Sequence, residues 1–75
     1  MRQQYRLRPE VIDRARERLG ETSDERLAVR LGMTGTTMSR IRGGSQPSLP
    51  NAVSLLHAAD VPMEIGLERI ISTAA

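Results

Sequence analysis

Apolar residues recur at helical spacing along most of this chain, separated by short polar breaks that carry helix-ending chemistry. Between Pro9 and Leu19, the residues Val11, Ile12, Ala15 and Leu19 share one side, while Glu10, Asp13, Arg14, Arg16, Glu17 and Arg18 share the other. The pattern predicts a first helix with Pro9 in its opening turn and Gly20 closing it. Thr22-Ser23-Asp24-Glu25 opens a second helix. Thr22 with Glu25 three residues later fits a capping box, and the two acids suit the positive end of the helix dipole. Leu27, Ala28 and Leu31 form its apolar face, and Gly32 ends it. Thr34 caps a third helix over Gly35 to Arg42, after which Gly43-Gly44-Ser45-Gln46-Pro47 reads as a loop. Ser48 caps a fourth helix with Pro50 in its first turn and Leu49, Ala52, Val53 and Leu56 facing inward. Asp60-Val61-Pro62 breaks the chain again, and Met63 to Ile71 reads as a fifth helix. No alternating strand pattern stands out. The expectation is all-α: a compact five-helix domain over residues 9–75, preceded by an N-terminal arm over 1–8.

Composition narrows the function. Seventy-five residues make one small domain, marginal but able to fold alone. The absence of Cys removes disulfides, thiolate metal sites and Cys nucleophiles together. The lone His57 makes no metal site by itself and is expected at the surface or boundary of the fourth helix. No apolar run reaches membrane-spanning length, and Met1-Arg2-Gln3-Gln4-Tyr5-Arg6 lacks the apolar stretch of a signal peptide, so a cytoplasmic, nucleoid-associated protein is expected. No nucleophile–base pair, phosphate loop or paired-carboxylate pocket is in sight, which excludes an enzyme reading. No cofactor, metal or small-molecule ligand is expected. The net charge is only +2, but all eleven cations are Arg, whose planar fork suits phosphates and guanine edges. A GC-rich codon bias explains the absence of Lys equally well, so placement must carry the argument. Tyr5 is the only aromatic residue, which argues against base-stacking modules for single strands or RNA.

Placement is most informative from Asp24 to Gly43. Two short helices that cross steeply need a small residue where they touch, which Ala28 supplies. A reversal in about three residues needs one tolerant of positive φ, which Gly32 supplies. Met33 plugs the turn, and Met38 and Ile41 lock the third helix onto the second. At about 100° per residue, Thr36, Arg40 and Gly43 then point away from the Met38/Ile41 side, flanked by Thr37 and Ser39. This outward strip is small, polar and cationic, and no acid occurs between Gly32 and Asn51. Such a strip fits a major groove, with Arg40 at a guanine edge.

Residues 22 to 68 resemble the lambda-repressor/Cro-like helix-turn-helix family. The matching text is Leu27-Ala28-Val29-Arg30-Leu31-Gly32-Met33-Thr34, Thr37-Met38-Ser39-Arg40-Ile41, Gly44-Ser45-Gln46-Pro47-Ser48-Leu49 and the stretch from Leu55 to Val61. The resemblance implies a five-helix fold whose third helix reads operator DNA as a dimer. By position, Thr34, Gly35, Thr36 and Arg40 would face bases. Ser23, Thr37, Ser39, Arg42 and Gly43 would face phosphate, with Arg6 and Arg8 of the arm on the DNA backbone or in a minor groove. Two departures stand out. Asp24 occupies the place of a phosphate-anchoring Gln. Arg42 occupies the place of an acid, which leaves it between a phosphate contact and an inverted ion pair with Asp13 or Glu17.

The fifth helix offers more apolar surface than one helix can turn inward. Ile65, Leu67, Ile70 and Ile71 are therefore candidates for a homodimer contact completed on DNA. The leading function is a compact phage or bacterial transcriptional repressor of the Cro type, binding a double-stranded operator. The alternatives are a DNA-binding antitoxin whose main partner is a toxin protein, and a helical protein-interaction module. Tyr5 is expected to cover the edge of the core.

Overall fold

The computed structural model describes residues 3–71. Its elements run β1 (Gln3–Leu7), α1 (Pro9–Leu19), α2 (Asp24–Arg30), α3 (Gly35–Arg42), α4 (Leu49–Ala59), α5 (Met63–Gly66) and β2 (Leu67–Ile71). The chain is mostly helical, and a two-stranded antiparallel ribbon joins its two ends. Among the described residues no helix is long and apolar enough to cross a membrane.

Caps set most helix limits. Thr34 Oγ1 accepts from the Thr37 N–H at 3.1 Å and Ser48 Oγ from the Asn51 N–H at 3.3 Å, satisfying donors that a helix start leaves free. At α2 the cap is Ser23 and not Thr22: Ser23 Oγ accepts from the Arg26 N–H at 3.1 Å. Gly20 and Gly32 close α1 and the α2 turn at φ 70° and 79°. Asp60 closes α4 in the left-handed region at φ 56°, a conformation that Asp tolerates better than most residues.

The core draws Leu7 from β1, Ile12 from α1, Leu27 from α2, Met38 and Ile41 from α3 and Leu55 from α4, all fully buried. On α4 the inward stripe is Ala52, Leu55, Leu56 and Ala59. Leu49 and Val53, expected inside, are 68% and 49% exposed. They lie one turn apart on the side that the stripe turns away from α1.

The ends of the chain differ most from the sequence reading. The helix expected over Met63 to Ile71 lasts one turn and gives way to β2 after Gly66. In place of the expected arm stands β1, registered Tyr5↔Arg69, Arg6↔Glu68 and Leu7↔Leu67. Leu7 anchors it in the core, and the Arg8 N–H donates to the Gly66 carbonyl at 2.8 Å. The partners match by type, leucine opposite leucine and Arg6 on Glu68 at 2.6 Å, and such cross-strand pairs stabilise a ribbon. Gly66 is buried, and a Cβ there would collide with Leu56 Cδ2 and press on Val11 and Val61 at 3.2 and 3.3 Å. A larger residue at position 66 would have to displace these side chains for the ribbon to start so close to α1 and α4.

Candidate nucleic-acid interface

The α2–turn–α3 unit is built as its sequence suggests. Leu27 and Ala28 of α2 are buried against Met38 and Ile41 of α3, with Met33 filling the turn. The Met33 N–H donates back to the Ala28 carbonyl at 2.8 Å, closing the reversal that the left-handed Gly32 makes.

With that side of α3 inward, Thr36, Ser39 and Arg40 stand exposed on the other. They line one open hollow of about 720 Å³ together with Gly35, Glu25 and Val29. Arg40 makes no ion pair among the described residues, so its guanidinium is available to an external acceptor. Thr34 and Thr37 lie at the N-terminal end of the same helix, joined hydroxyl to hydroxyl at 3.0 Å. Gly43 follows the last turn and is exposed. Ser23 is half-buried, with its hydroxyl committed to the α2 cap.

Of the two roles expected of Arg42, phosphate contact and ion pair, the structure places it in an ion pair. Its Nε and Nη2 donate to the two oxygens of Asp24 at 2.6 and 3.0 Å, and Nη2 also donates to Asp13 at 2.8 Å. Arg16 Nη1 also donates to Asp24 Oδ1 at 3.3 Å. The Arg42 hydrogen bonds hold the Asp24 carboxyl below the usual carboxylate range, and Asp24 in turn raises the guanidinium above its ordinary value. Arg42 therefore fastens α3 to α1 and α2. Of the two partners that the sequence offers, Asp13 and Glu17, it takes Asp13; its main partner, Asp24, is neither. Asp24 stands next to the Ser23 cap and faces the end of α3, a proximity that spacing along the chain does not encode.

Arg6, expected on DNA, is tied across the ribbon to Glu68, whose carboxyl that hydrogen bond lowers. Arg8 is exposed and lines a different hollow with Arg14, Asp60 and Ile65, away from the α3 strip. The dimer candidates do not form one stripe. Ile65 is 62% exposed on α5, Leu67 packs half-buried on the core, and Ile70 falls on the opposite face of the ribbon from Leu67. The Ile71 side chain lies outside the described residues.

Two members of the α3 hollow escape the sequence reading. Val29 projects from α2 at 76% exposure. Glu25 reaches over the start of α3, its Cγ lying 3.3 Å from where a Gly35 Cβ would stand. The acid-free run from Gly32 to Asn51 is thus answered in space by an acid from the preceding helix, and the missing side chain at position 35 is the available signal. No protein-family model, curated protein or solved structure matches the chain.

Proposed function

We propose that this chain is a sequence-specific double-stranded-DNA-binding transcriptional repressor whose α3 enters the major groove. The observation that carries the reading is the exposed strip Thr36–Ser39–Arg40, set opposite the buried Met38 and Ile41 on a capped helix that a tight turn holds against α2. A helix of this width fits the major groove, where Arg pairs with the O6 and N7 acceptors of guanine. Arg40 has the reach and the free guanidinium for that role. Thr34, Gly35 and Thr36 then approach neighbouring base edges, and Thr37, Ser39, Gly43 and the Ser23 end of α2 approach phosphate. Glu25, beside Gly35, accepts from a cytosine N4 amino group and disfavours other bases there. Occupation of an operator by such a domain blocks polymerase. One α3 reads only a few base pairs, so two copies act together on a two-fold symmetric site, about 34 Å apart.

Selection from a random pool of duplex DNA with the purified protein tests the reading. Enrichment of a site with a guanine at a fixed place in each half supports it. A pool that stays random after repeated rounds, while the protein remains folded, overturns it.

A further inference from the structure

Several exposed or half-buried apolar side chains gather on one face. Tyr5 of β1, Leu49 of α4, Met63 of α5 and Leu67 of β2 line one hollow of about 520 Å³, and the exposed Val53 stands one turn along α4 from Leu49. Two charges edge this hollow, Glu64 and Arg69, and neither makes an ion pair among the described residues. An apolar centre bordered by one free acid and one free base is complementary to itself under a two-fold rotation whose axis passes between the two charges. Each acid then meets the other copy's base, as an isologous interface requires.

The position of the hollow agrees. A neighbouring depression shares Tyr5, Leu49 and Leu67 with it and adds Gln46 and Pro47 of the loop that leaves α3. Gln46 Oε1 accepts from the Tyr5 N–H at 3.1 Å, which ties the ribbon to the loop that leaves α3. A contact on this face sets two α3 helices at a fixed separation.

We infer that a second copy of this chain docks on the Tyr5–Leu49–Met63–Leu67 face, with Arg69 of each copy against Glu64 of the other. The inference deepens the DNA-binding reading and rests on it for the choice of a second copy as occupant. The test is sedimentation of the full chain over a concentration series, alongside binding to a palindromic site and to its isolated half. Glu64→Arg and Arg69→Glu are each expected to weaken self-association by about tenfold and to abolish cooperative binding to the palindrome. The double swap E64R/R69E restores both, which a merely structural role for either residue would not do. Leu49→Asp, at an exposed position, gives the same monomeric behaviour without touching the charges. All these variants keep half-site binding, so loss of the interface is distinguished from loss of DNA recognition. Wild-type self-association without any DNA binding would sink the DNA reading and leave the interface standing. Single charge reversals that dimerise like the parent, or a double swap that fails to recover, would overturn the inference. A wild-type chain that stays monomeric on the palindrome would also overturn it and assign the hollow to a different protein.

Discussion

Arg40 and Arg42 sit two residues apart on one helix and meet opposite fates, because about 200° of rotation separates them. Arg42 turns back toward α1 and α2 and is held by Asp24 and Asp13, while Arg40 turns out, exposed and without an ion pair among the described residues. Arg40→Ala is therefore expected to weaken specific binding by about 1–3 kcal/mol and to relax preference at one base position. Titrations of the selected site and of scrambled DNA check this; equal losses on both would make Arg40 a phosphate contact. Two glycines carry different burdens. Gly32 has open space where a Cβ would stand but φ 79°, so Gly32→Val acts through the backbone and should cost about 1–3 kcal/mol. In a domain of this size that lowers the thermal midpoint by on the order of 10 °C, and a melt matching the parent's would refute it. Gly66 has no positive φ but no room either. Gly66→Ala should cost about 1–3 kcal/mol by overpacking against Leu56, read in chemical denaturation, with an unchanged midpoint as the contrary result.

Three helices meet at Asp24, and their ionic cluster makes the stability of the α2–α3 unit depend on pH. The carboxyl is held below its ordinary value in the folded chain, mainly by the Arg42 hydrogen bonds. As pH falls, the unfolded chain binds the proton first, so this contribution is complete above the unfolded value near pH 4. It is then lost as pH falls through the folded one. Asp24→Asn should be less stable than the parent at neutral pH, and the gap should close under acid. Urea midpoints from about pH 7 to about pH 2 measure it; parallel curves would show that Asp24 contributes nothing through its charge. Glu68 is lowered in the same sense by Arg6, so the variant keeps a residual acid slope from the ribbon. The elements differ in how far sequence reveals them. α1 to α4 are legible because period, caps and closing residues agree within each segment, although Leu49 and Val53 look as apolar as the Leu55 and Ala59 that go inside. The ribbon is not legible. Leu67-Glu68-Arg69-Ile70-Ile71 alternates no more clearly than it repeats at helical spacing, and what makes it a strand is a partner roughly sixty positions away in the chain. Arg42's clasp is half visible: Asp13 lies on α1's charged side, but Asp24 reads along the chain only as an acid at a helix start.

At the scale of the whole molecule the charge is organised more than it is large. Net charge is only +2, and Arg6, Arg16, Arg18, Arg30 and Arg42 are engaged in ion pairs within the chain. Among the described cations without an ion pair, Arg40 alone lies on α3, so binding should depend on a small number of placed contacts and not on a general positive field. Counterion release then gives a direct measure of how many copies engage. Each phosphate contact made by a cation contributes a slope of about −0.9 in log affinity against log salt on duplex DNA. A domain that doubles up on a palindrome doubles those contacts while each half keeps its own. We expect the slope for the palindromic site to be about twice that for the isolated half-site, measured by anisotropy titration over a salt series. The same comparison with Glu64→Arg separates the two scales of assembly. If the second copy is held by the Tyr5–Leu49 face, that variant on the palindrome falls back to the half-site slope. Equal slopes for palindrome and half-site in the parent chain would mean that only one copy touches DNA, and the paired-reader arrangement would fail.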